Sequence, residues 1–206
     1  MPADQRLPLF LLPLSALPGE EVPLHVFEPR YRALVRYCLD EESEFGVLFV
    51  DEEGVREVGC AVRIDRITQE HDDGRVDILT HGTRRFQLAG EVEEALFPEA
   101  PVTWVVDDPV GPHEDDEDDD ATTLFAELAQ RVTGSIPDLG SEGEASFRIA
   151  SHVAFGASAK QGLLELRSER ARLELLARLL RAAIARLSQV ELRQATARSN
   201  GKVHFE

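Results

Sequence analysis

A chain of 206 residues, 43% of them hydrophobic, is long enough to bury a sizeable core, which excludes disorder of the whole chain. Its formal charge of −17, from 39 acids against 22 Lys and Arg, disfavours a nucleic acid partner, because phosphate binding requires clustered bases. Neither a run of about 18 apolar residues nor a basic amino-terminal region with a small-residue cleavage site occurs, so a cytoplasmic protein with no membrane partner is expected.

Residues Leu7 to Leu14 form a Pro-punctuated apolar run suited to a strand buried on both faces. Pro18-Gly19 marks a turn, and Val22 to Phe27 reads as a second strand. Pro29 suits the first turn of a helix, where its missing N–H costs nothing, so Glu28 sits at a helix start. Tyr31, Leu34, Val35, Cys38 and Leu39 then fall at i, i+3, i+4, i+7 and i+8, the spacing of one buried stripe, with Arg30, Arg32, Arg36 and Asp40 on the wet side. Strands are predicted over residues 44–50, 59–68, 75–80, 85–92 and 102–106, and Asp73-Gly74 between two alternating runs is a hairpin signal. Short strands at this spacing with one inserted helix predict a small barrel or rolled sheet over residues 1–106. Cys38 and Cys60 lie in apolar settings and read as buried free thiols.

Residues 107–120 carry nine acids and no Lys or Arg, which predicts a solvated acidic linker over 107–121. The contiguous carboxylates beside His113 lack the turn glycine of a calcium loop. From Thr122 the period becomes helical, with Leu124, Phe125, Leu128 and Val132 on one stripe and Ala145, Ile149, His152 and Val153 on another. Ser158 with Gln161 has the form of a capping box, and Ser168 precedes the longest helix, along which Leu166, Leu173, Leu180 and Leu187 recur every seven residues. The fold class expected is therefore α+β: a β-rich subdomain at 1–106, the linker, a helical bundle at 122–198 with a long carboxy-terminal helix, and a tail at 199–206.

The segment PLHVFEPRYRALV, beginning at Pro23, resembles a signature of the type P-L-x-x-F-E-x-R-Y near the start of the amino-terminal substrate-binding domain of Lon proteases. EFGVLFV, VGCAVRIDRI, GTRRF and KQGLLELRSERARLELL resemble later landmarks of that domain and follow in the same order as far as Leu176. The resemblance implies a PUA-like barrel followed by a helical bundle. It also implies a binding module for unfolded or exposed apolar polypeptide segments, working in protein quality control as an adaptor for proteolysis, with an ATP-dependent protease as partner. PUA-like barrels also bind RNA, which gives an alternative function that the net charge argues against.

The engines of a Lon protease are not legible in this sequence. No G-x-x-x-x-G-K-[ST] cradle for nucleotide phosphates occurs, and neither lysine, Lys160 or Lys202, lies in a setting that would activate a serine, so no cofactor and no catalytic residue are expected. Ser151 and His152 are adjacent on a predicted helix, which is expected to hold hydroxyl and imidazole apart. The six histidines lack H-x₃-H or H-E-x-x-H spacing, so no metal is expected, and His25 and His81 read as structural groups of a β core. An Arg and an aromatic beside strand edges are the residue types that hold an extended peptide, which makes Glu28, Arg30, Tyr31, Gly82, Arg85 and Phe86 the candidate substrate-binding residues. The purified protein should neither hydrolyse ATP nor degrade casein. Cleavage that disappears when one Ser of this chain is changed to Ala would overturn that expectation.

Overall fold

The computed structural model describes residues 5–108, 118–141 and 143–199. Its elements, in order, are β1 (Gln5–Leu12), β2 (Glu21–Val26), α1 (Pro29–Asp40), β3 (Phe45–Asp51), β4 (Gly54–Val55), β5 (Val58–Glu70), β6 (Val76–Leu88), β7 (Glu93–Glu94), β8 (Pro98–Trp104), α2 (Asp118–Thr133), α3 (Ala145–Ser151), α4 (Ala157–Glu165) and α5 (Glu169–Ser199). This is the expected α+β class. The chain divides into two compact units, Met1–Gly111 with Leu139–Glu169, and Pro112–Asp138 with Arg170–Glu206.

In the first unit β5, β3, β1 and β8 are joined side by side, and β6 pairs with both β5 and β8. That second pairing closes a five-stranded barrel, the arrangement that leaves its strands without edges. β1 runs parallel to β3, with Leu9 opposite Gly46, and antiparallel to β8. Leu7 to Phe10 are buried on both faces, as their unbroken apolar run requires. Leu7, Leu9, Leu48, Ala61, Phe86, Ala100 and Val102 fill the interior. The Phe86 ring occupies space that side chains on two neighbouring strands would otherwise take: a Cβ on Gly46 would lie 2.5 Å from it, and one on Gly59 2.7 Å.

α1 lies on the outside of the barrel. It starts at Pro29, and its buried stripe is Tyr31, Leu34, Val35 and Cys38, whereas Leu39, expected on the stripe, is exposed. The Tyr31 ring packs 3.9 Å from that of Phe10, and its hydroxyl donates to the Leu11 carbonyl at 3.4 Å. Both cysteines are free and buried. Burial pushes the Cys38 thiol up to about 11 and raises that of Cys60 further.

Two expectations change in this unit. Residues 81–84, between the strands predicted at 75–80 and 85–92, are the middle of the continuous strand β6. Gly82 is required by close approach: the Gly19 N–H donates to the Gly82 carbonyl and the Gly82 N–H to the Glu20 carbonyl, both at 2.9 Å, and a Cβ at 82 would lie 2.0 Å from the Leu17 carbonyl oxygen. The predicted turn at Asp73-Gly74 does form, with Gly74 at φ 81° between β5 and β6. Residues 139–169, expected in the helical bundle, belong instead with the barrel. The reason is polar docking of α4. The Gln161 side-chain amide donates to the Val58 carbonyl at 2.9 Å, the Ser15 hydroxyl donates to the Ala157 carbonyl at 3.1 Å, and Lys160 pairs with Glu20. Ser158 lies inside the first turn of α4 rather than capping it, and Leu166 lies past its end rather than on the seam of α5.

The second unit contains α2 and α5. α2 begins at Asp118, inside the expected linker, of which residues 109–117 lie outside the described residues, as do 200–206 of the expected tail. Asp120, in the first turn, suits the positive end of a helix dipole. Ala121, Phe125 and Ala129 are buried along α2, with Val132 exposed, and Leu173, Leu176, Ala177 and Leu180 are buried along α5. Arg181 pairs with Asp120, and Arg131 donates to Glu191 at 2.7 Å and to Ser188 at 2.9 Å. Later residues of α2 thus meet later residues of α5, so the two helices run parallel. A parallel pair cannot be joined by a tight turn.

Leu180→Ala should lower stability by about 2–5 kcal/mol in denaturant unfolding, the range for buried Leu truncation; a loss under about 0.5 kcal/mol would place Leu180 on the surface. Gly82→Ala should cost about 3 kcal/mol or more, the upper end for overpacking, because its obstacle is backbone. A parent-like melting curve for Gly82→Ala would contradict the close approach of Leu17.

Candidate functional site

The outer side of the barrel carries an open track along α1. β5 pairs with β3 only over Cys60–Val62 and with β6 along its whole length, so beyond Val62 one edge of β5 has no strand partner among the described residues. Between this edge and α1 lies a hollow of ≈ 670 Å³, lined by Pro29, Ala33, Val35 and Leu39 of the helix and by Ile67 and Val76 of the hairpin, with Arg32, Arg36 and Glu70 also on its walls. A second hollow of ≈ 330 Å³ shares Leu39 with the first and adds Cys38, Glu42, Ser43, Arg63 and Ile64. A third, of ≈ 370 Å³, shares Glu42, Ser43 and Arg63 with the second and ends at Gln5 to Pro8 and Tyr37. The three therefore follow one another from the β5–β6 turn to the start of β1.

The sequence builds this track from two half-rules. α1 is apolar beyond its buried stripe, so Leu39 and Tyr37 stay 40% and 44% exposed, and β5 continues past the barrel with Ile67 38% exposed. An apolar floor beside an unpaired strand edge can take an extended polypeptide, whose backbone would add to the edge while alternate side chains enter the hollows. Arg32 is anchored by donating to the Asp73 carbonyl at 3.2 Å. Arg36 and Arg63 have no ion pair among the described residues and stand on the walls as free cations.

The six residues singled out from the sequence divide. Glu28 and Arg30 are at the surface at the start of α1, where Arg30 donates to Glu28 at 3.0 Å. Glu28 makes no side-chain cap, and its carbonyl accepts the Tyr31 and Arg32 N–H groups. The other four are interior, away from the surface where a ligand contact was expected. Phe86 has no exposure, Tyr31 2% and Arg85 4%, and Gly82 is closed off by Leu17. Arg85 donates to the carbonyls of Leu164 at 3.0 Å and Leu166 at 2.6 Å, pairs with Asp107, and lies 5.3 Å from the centroid of the Phe147 ring. These four hold the scaffold on which the track is formed.

Ser151 and His152 also depart from expectation, because Ser151 Oγ lies 3.3 Å from His152 Nδ1. Both atoms also lie 2.9 Å from the Arg148 carbonyl, which can only accept, so Nδ1 carries its proton toward that carbonyl and is no base for the hydroxyl. The track residues Leu39, Ile67 and Arg63 escaped sequence reading. A periodicity rule assigns Leu39 to the core, and only the length of β5 beyond its partner β3 reveals its edge.

The pattern of the ATP-dependent protease La (LON) substrate-binding domain matches residues 6–182. The structure is similar to that of a Lon N-terminal domain protein from Xanthomonas campestris, at 28% identity and a TM-score of 0.62 over 84% of this chain and 96% of that one. It shares its fold with the N-terminal domain of a Mycobacterium avium complex Lon protease, at 19% identity and a TM-score of 0.65 over 85% of this chain and 98% of that one. No described helix is long and apolar enough to cross a membrane. The chain belongs to the ATP-dependent protease La (LON) substrate-binding domain family.

Proposed function

We propose that this protein binds extended, apolar-rich segments of unfolded polypeptides along the track between α1 and the free edge of β5, and presents them to an ATP-dependent protease as an adaptor in protein quality control. The observation that carries the reading is the coincidence of an unpaired strand edge with three adjoining hollows whose floor includes exposed Leu39 and Ile67. Edge addition supplies affinity that does not depend on sequence, and shallow apolar hollows admit many side chains, which suits a binder of varied clients. Two buried free thiols are consistent with a reducing, cytoplasmic setting.

The arginines on the walls would favour clients whose apolar segments are interrupted by Asp or Glu. In a chain of −17 their position matters, since the net charge as a whole disfavours the approach of acidic polypeptides. Binding of RNA would also use arginines, and it separates from peptide binding by its steep dependence on salt.

Anisotropy of a labelled, permanently unfolded apolar peptide should give roughly micromolar affinity, the ~−8 kcal/mol scale, and change little between about 50 and 500 mM salt. The Leu39→Glu, Ile67→Glu double variant should weaken binding at least about tenfold, which is about 1.4 kcal/mol, while unfolding stays within about 1 kcal/mol of the parent because both sites are part-exposed. Parent-like peptide affinity in that variant removes the track as the site. Binding confined to RNA removes the function.

A further inference from the structure

The sequence suggested His25 as a lone structural histidine, yet in the fold it has company. His25 on β2 stands directly opposite Asp77 on β6, and His71, just before the β5–β6 turn, reaches the same carboxylate. His25 Nδ1 lies 2.5 Å from one Asp77 oxygen and His71 Nε2 2.8 Å from the other, with the two imidazoles edge to face and 5.7 Å apart. All three side chains reach solvent, with exposures of 46%, 24% and 29% for His25, His71 and Asp77.

We propose that His25, His71 and Asp77 form a binding site for a divalent transition metal of the zinc class, with water completing the coordination. Two imidazole nitrogens and one carboxylate oxygen are the borderline donors that Zn²⁺, Co²⁺ and Ni²⁺ prefer, and three protein ligands leave one position open. The three donor atoms lie within 4.8 Å of one another. Metal–ligand bonds of about 2.0–2.1 Å need them roughly 3.3 Å apart, so loading requires a contraction of an ångström or so. His71 can supply it, since it lies outside the strands, whereas His25 and Asp77 are fixed by the β2–β6 ladder.

The surroundings favour a cation over a purely structural cluster. Glu70, Asp72 and Asp73 flank His71 in sequence, with Arg75 as the one base between them and Asp77. Exposed imidazole–carboxylate contacts add little to stability, so the fold gains little from bringing two imidazoles to one acid at the surface. Thr68 donates to the Asp77 carbonyl at 3.1 Å, and the His71 N–H donates to the Arg75 carbonyl at 2.9 Å, which position the ligand-bearing backbone without using the donor atoms. The Phe27 ring stacks on His25 at 6.0 Å and covers one side of that ligand. The site is separate from the peptide track: Val76 lines the track, and its neighbour Asp77, one residue along the strand, points to the opposite face of the sheet.

The untagged full chain titrated with Co²⁺ should take up one equivalent and develop visible absorption of nitrogen-ligated, low-coordinate cobalt, which Zn²⁺ then bleaches. Excess Mg²⁺ should not displace it, because hard cations prefer all-oxygen ligand sets over imidazole nitrogen. His71→Ala and Asp77→Asn should each weaken Co²⁺ binding at least about tenfold, with melting temperature in the absence of metal unchanged. A spectrum that stays that of hexaaqua cobalt overturns the proposal, as does affinity within about twofold of the parent in the His25→Ala, His71→Ala double variant.

Discussion

The first unit depends on room made for one ring. Phe86 sits inside the barrel because Gly46 on β3 and Gly59 on β5 present no side chain to it, and a Cβ at either position would overlap it. The three residues lie on three neighbouring strands, so the ring fixes their mutual register as well as filling the centre. Its neighbour Arg85 points the other way, as alternation along a strand demands, and its guanidinium reaches the carbonyls at the end of α4. One dipeptide thus packs the barrel inside and anchors a helix outside. The anchored end of α4 is also a favourable place for a cation, since the last carbonyls of a helix are unsatisfied within it.

This arrangement explains why the family signature surrounding these residues was legible while their role was not. GTRRF marks the barrel closure, but as letters it looks like a turn, because Gly82 is the kind of residue that ends strands. Only the approach of Leu17 shows that the glycine admits a neighbouring backbone while the strand continues. Phe86 and Tyr31 looked like ligand contacts for a similar reason. An aromatic beside an Arg has the same composition in a binding pocket and in a core, and sequence does not carry the direction in which a side chain points.

The helix α1 shows the opposite case. Pro29, the apolar spacing from Tyr31 to Cys38 and the arginines between them fixed both its start and its buried face, because a local rule and the tertiary packing agree there. The rule failed only at Leu39, the residue that the structure leaves beside the free edge of β5. His25, His71 and Asp77 were invisible for another reason: a cross-strand pair and a residue before a turn become neighbours only once the register of β2 on β6 is known. Pairings of this kind are long-range, and no spacing rule along the chain encodes them.

The parallel course of α2 and α5 has a consequence for how the protein is made. α2 leaves the ribosome well before α5, and the intervening residues 139–169 belong to the barrel unit. The eight strands described in the first unit, the barrel's five among them, are all upstream of α2, so their pairing can be complete while α2 still has its apolar stripe of Ala121, Phe125 and Ala129 uncovered. During synthesis that stripe waits for a helix at the far end of the chain, and the nascent protein passes through a stage in which it is itself an exposed apolar segment of the kind holding chaperones recognise.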